Sequence, residues 1–71
     1  MNLEAQPLRD AARMLRRAGR LTQNAAALYE CGRAAAAEAL LAESRAEINA
    51  ALARFDPFIL EAARRRFTEG Q

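Results

Sequence analysis

Apolar residues recur at three- and four-residue intervals along most of the chain, and the places where that rhythm falters carry the information. Leu8, Ala11, Ala12, Leu15 and Ala18 share one face of a helix. Arg9, Arg13, Arg16 and Arg20 stand opposite, with Arg17 beside them. Pro7, with fixed φ and no N–H, suits a first helical position, so the pattern predicts a helix from Pro7 to about Ala18. Gly19 then stands where a left-handed residue closes a helix, behind cations that complement a helix C-terminus. Thr22 is placed to cap the next helix.

No proline interrupts the chain from Thr22 to Phe55. Leu41, Ser44, Ile48, Ala51, Leu52 and Phe55 form one stripe, yet Leu28 lies about 220° away from Leu41 on an ideal helix. Tyr29 and Leu40 align with each other instead. The apolar face must swing across the alanine run, or the helix must break or bend near Gly32. A mid-helix glycine costs about 1 kcal/mol relative to alanine. The change of face favours a break at Gly32, with one uninterrupted helix as the alternative. Further on, "RFDPFIL" offers Asp56 as N-cap, Pro57 at the first helical position and a Phe55–Leu60 staple. A short third helix from Pro57 to about Thr68 is predicted, with Leu60, Ala63 and Phe67 facing inward and Gly70 ending it.

Composition sharpens this into an all-α reading. Ile48, Ile59, Thr22 and Thr68 are the only β-branched residues, while Ala, Leu, Arg and Glu dominate. The 71 residues make one small domain. Alanine supplies about half of the 52% hydrophobic content, so bulky core side chains are few. A helical hairpin with a short third helix, completed by dimerisation or by a partner chain, is the expected architecture. Charge is segregated. Residues 1–20 are basic, 21–63 acidic and 64–71 basic again, with a net +2 overall. The basic first helix is expected to lie against the acidic central segment.

The stretch 24–57 resembles a tetratricopeptide repeat of the long-helix kind found in kinesin light chains. Leu28-Tyr29 falls at the Leu-Tyr pair before the turn, Gly32-Arg33 at the turn glycine, Glu38 and Leu40-Leu41 on the second helix, and Asp56-Pro57 at the closing proline. Ala34 stands where those repeats carry an aromatic, and Ser44 at their small residue. The resemblance implies two antiparallel helices and a peptide-binding role. "GRLTQNAAALYECG" is similar to the opening of repressor-type helix-turn-helix domains, although "GRAAAA" gives a recognition helix little beyond Arg33 to donate to base edges.

The chemistry available is narrow. There is no histidine, and the single cysteine, Cys31, has no imidazole partner. It reads as a packed small hydrophobe. Glu43 and Glu47 share a helix face but sit near Arg45 and Arg54 and read as solvated. An enzyme, a metal site and a cofactor are therefore not expected. The N-terminus lacks a signal-peptide layout and no apolar run is long enough to span a membrane, so a cytoplasmic address is expected. Two surfaces remain. Leu28, Tyr29, Leu40, Leu41 and Ile48, beside a long alanine surface, form an apolar face for another protein or a second copy. Arg9, Arg13, Arg16, Arg17 and Arg20 form a basic stripe. The expected function is a small protein-interaction module, an adaptor, cochaperone or inhibitor. The alternative is a nucleic-acid-binding regulator using the basic helix.

Overall fold

Every seventh residue in two stretches of this chain is small: Ala11, Ala18 and Ala25, then Ala37, Ser44 and Ala51. All six are buried. In the computed structural model, which describes residues 4–69, each series lines one helix of an antiparallel hairpin. Helix α1 runs Gln6–Glu30 and helix α2 runs Ala34–Glu69. A seven-residue repeat keeps one stripe of each helix against its partner. Side chains of this size let the two helix backbones approach closely. The consequence is unusual for a core: among the described residues no large side chain is fully buried.

One polar contact fixes the register. Ser44 Oγ donates to the Ala18 carbonyl oxygen across the seam at 3.0 Å. Stepping seven residues in opposite directions then sets Ala25 beside Ala37 and Ala11 beside Ala51. Thr22 Oγ1 lies 2.9 Å from the Ala18 oxygen and 2.9 Å from Ser44 Oγ. Two hydroxyl protons cannot serve three contacts at once, so two are made at any instant. Each of the three possible arrangements leaves the buried serine satisfied, which a polar group in a seam this tight requires.

The hairpin turn is a glycine cap. Gly32 has φ 77°, the left-handed conformation that L side chains avoid. The Arg33 N–H donates to the Leu28 carbonyl at 2.8 Å, and the Gly32 N–H to that of Tyr29 at 3.0 Å. These are the paired bonds of a Schellman cap. The break expected at Gly32 is therefore present, and it dissolves the phase problem between Leu28 and Leu41, which lie on different helices.

The other two expected boundaries are absent. Gly19 lies inside α1 with a negative φ, because Leu21, Ala25 and Leu28 continue the register set by Ala11, Met14 and Ala18. Thr22 is accordingly mid-helix rather than an N-cap. Among the described residues there is no separate third helix either, since α2 passes through Asp56 and Pro57 to Glu69. At about 1.5 Å per residue, the 36 residues of α2 account for nearly all of the molecule's 56 Å length. Leu60, Ala63 and Phe67, expected to face inward, are exposed, because α1 has ended before α2 reaches them. Gly70 lies outside the described residues. Pro7 sits one residue inside α1, which Ala5 precedes without a side-chain cap.

The two helix-associated glycines should respond to alanine with opposite signs. An added Cβ would meet nothing within 4 Å at either one, so backbone preference alone decides. Gly32→Ala should destabilise by about 1–2 kcal/mol, whereas Gly19→Ala should stabilise by about 0.5–1 kcal/mol. Urea unfolding followed by helical circular dichroism checks both. Equal signs would contradict this assignment of turn and helix.

Candidate interaction surface

The antiparallel register gives the hairpin two unlike edges. Arg17 precedes Ala18 by one residue and Glu43 precedes Ser44 by one, and such positions meet on one edge of an antiparallel pair. There, Arg17 Nη1 lies 3.3 Å from Glu47 Oε1 and Nη2 3.6 Å from Glu43 Oε2. The first helix thus meets the acidic segment through Arg17. Both carboxylates and the guanidinium keep solvent contact, so the cluster contributes little to stability.

Positions four residues after each seam residue form the other edge, and all of them but Thr22 are apolar. Leu15 and Tyr29 on α1, and Leu41, Ile48 and Phe55 on α2, follow this rule, with Leu52 and Ile59 one turn further round α2. Leu15, Tyr29, Leu41, Leu52 and Ile59 are all exposed. Beyond the end of α1, the projecting part of α2 adds Leu60, 62% exposed, and Phe67, 73% exposed.

The residues expected to bind a partner divide between inside and outside. Leu28, Leu40 and Ile48 are half-buried, while Tyr29 and Leu41 are exposed. Of the alanine surface, Ala25 and Ala37 are consumed in the intramolecular seam and Ala36 is half-buried. Ala26, Ala27, Ala34, Ala35, Ala39 and Ala42 are exposed. Leu15, Leu52, Ile59, Leu60 and Phe67 were not in the expected set. The signal for them was the seven-residue spacing of small residues, which identifies the inner face and so the outer ones.

The basic residues occupy the side of α1 turned away from α2. Arg9, Arg13, Arg16 and Arg20 are all exposed, and Arg9, Arg13 and Arg16 line a shallow groove with Gln6 and Ala12. Arg13 pairs with Asp10, whose carboxyl lies below its ordinary range because Gln6 Nε2 donates to it at 2.9 Å and Arg13 adds a second bond. Arg17 alone of the basic set turns toward α2.

Cys31 is exposed at the turn, not packed as expected, because the Schellman geometry places the residue before Gly32 at the tip of the hairpin. Ser44, which the sequence places on the apolar stripe of α2, packs in the seam. Among the described residues no helix is long and apolar enough to cross a membrane.

Tyr29 Oη donates to Glu38 Oε1 at 3.2 Å. That bond, and the carboxylate charge behind it, push the phenol above its usual value of 10.0. A raised value means the contact contributes stability below the ordinary tyrosine range and loses it as pH rises through the raised value. The chain has one tyrosine, so an ultraviolet titration reads this group alone. Glu38→Gln should move its midpoint down toward the ordinary value, and an unchanged midpoint would mean that the contact does not persist in solution. Compared with family models, with curated proteins and with solved structures, the chain matches none.

Proposed function

We propose that this protein is a small non-enzymatic interaction module, an adaptor, cochaperone or inhibitor, whose apolar edge is covered by another polypeptide chain. One observation carries the reading. The hairpin keeps alanines inside and, among the described residues, leaves seven large apolar side chains exposed, Leu41, Leu52, Ile59 and Phe67 among them. Several of these lie together along one edge, and contiguous apolar surface of this kind marks association sites. The test is co-purification of the wild-type chain and a Leu41→Asp/Leu52→Asp variant, neither of whose positions lies in the alanine seam. A stoichiometric complex or self-association lost in the variant is expected. A folded chain that stays single and binds nothing would overturn the reading.

A second reading rests on the outward arginines. Arg9, Arg13, Arg16 and Arg20 repeat along one solvent-facing side, the arrangement that tracks a polyanion. If the chain is a nucleic-acid-binding regulator, duplex DNA binding should fall steeply with salt and be lost in an Arg9→Gln/Arg13→Gln/Arg16→Gln variant. Binding insensitive to both would remove this alternative. The apolar edge favours the first reading, because base stacking would need aromatics among the arginines and there are none.

A further inference from the structure

We infer that the chain covering the apolar edge is a second copy of this protein, packed antiparallel through α2 about a two-fold axis between residues 53 and 54. The inference rests on the interaction-module reading and names its partner. It starts from surface area. A compact chain of 7.8 kDa exposes about 4,400 Å², whereas this one exposes 5522 Å². Its radius of gyration is 16.8 Å, against about 11 Å for a compact domain of this length. The excess area, on the order of 1,100 Å², is at least what one partner contributes to a standard stable interface, about 800 Å².

The arrangement of the edge suits self-pairing. The α2 stripe consists of Leu41, Arg45, Ile48, Leu52, Phe55, Ile59, Ala62 and Arg66, spaced alternately by four and three residues. Turned about a two-fold axis between 53 and 54, Ile48 meets Ile59 of the second copy and Leu52 meets Phe55. All four are large and apolar, and each contact is made twice, as an isologous interface requires. The same rotation places Arg66 within a helical turn of Glu38 of the second copy, which sets opposite charges at both ends.

The projecting part of α2 then acquires a seat. In this register it lies along the first half of the second copy's α2. Leu60 comes level with the second copy's Leu15, both exposed in the single hairpin, and the exposed Phe67 with its half-buried Leu40, one residue from the exposed Leu41. The length by which α2 outruns α1 is thus the length that reaches over the neighbouring hairpin. The outward face bearing Arg9, Arg13, Arg16 and Arg20 stays uncovered, so the dimer would present two basic ladders on opposite sides.

Sedimentation equilibrium over a concentration series, with a spin label on the native Cys31, tests this on the unaltered chain. Twice the 7.8 kDa chain mass is expected. The two labels should lie about 60 Å apart, because the antiparallel axis puts the turns at opposite ends of helices rising about 1.5 Å per residue. Ile59→Glu should raise the dissociation constant at least about thirtyfold while leaving the helical signal of the hairpin in place. A dimer with its labels within about 20 Å would be parallel under the same helical rise and would overturn the proposal. So would a single chain whose edge is taken by a different protein in an Ile59-dependent complex, though the interaction-module reading would survive that result. A single chain that forms no complex and is indifferent to Ile59→Glu would overturn both.

Discussion

Ala18→Leu should destabilise the hairpin by about 3 kcal/mol, a large share of the total stability of a chain this short. Ala18 is 3% exposed and faces Ser44, itself 3% exposed, at the middle of the seam. Three more carbon atoms there have no space between two backbones held close by alanine on either side. The helices would have to separate locally, and separation breaks the Ser44 bond to the Ala18 oxygen while pulling Thr22 away from Ser44. Leucine is nearly as good a helix former as alanine, so the loss would report packing and not propensity. The control is Ala27→Leu on the exposed side of α1, expected to change stability by no more than about 0.5 kcal/mol. Urea unfolding at one fixed protein concentration compares the two, which matters because self-association makes stability depend on concentration. Equal effects at positions 18 and 27 would mean that the seam is not tightly packed.

How legible this fold was depends on which residues are consulted. The all-α class, the pairing of two antiparallel helices and the break at Gly32 were all readable, the break because Leu28 and Leu41 could not share one helix face. The packing role of Ser44 was readable too, since a lone serine amid alanines on an apolar stripe has little else to do. Gly19 misled because glycine is compatible with both a helix end and a helix interior. What separates them is whether the next nine residues keep the same inner face, and Leu21, Ala25 and Leu28 do. The sharper difficulty was size. Large side chains normally report the core, and taken that way they pointed to Leu28, Tyr29, Leu40, Leu41 and Ile48 as a surface seeking a partner. In this hairpin the innermost residues are the smallest, so bulk marks the flanks. The candidate surface was therefore recoverable in kind, apolar and on one edge, but not in its membership. Leu52 follows from the seam spacing, whereas Ile59, Leu60 and Phe67 also require that α2 continue past the end of α1.

That continuation makes Pro57→Ala the most informative stabilising change, with an expected gain of up to about 3 kcal/mol. Pro57 stands inside α2, where it has no N–H to offer the Ala53 carbonyl and its ring crowds that oxygen. The residue before a proline also resists helical geometry, so Asp56 adds to the cost. Extending the pairing of Ala11 with Ala51 brings Pro57 level with Ala5, the residue just before α1. The proline therefore lies where the pairing of α2 with α1 ends, although Phe58, Glu61 and Ala62 just beyond it are still half-buried. Alanine at this position would restore the missing bond and strengthen the helix between its supported and projecting parts. Two readouts should move together: the thermal midpoint rises, and amide exchange slows over residues 57–69 more than over the seam. The opposite sign has a definite meaning. If Asp56 and Pro57 began a new helix, the proline would occupy a favourable first position with no bond to lose. Its removal would then lower stability, and the projecting arm on which the paired arrangement of two copies depends would be a separate, hinged element.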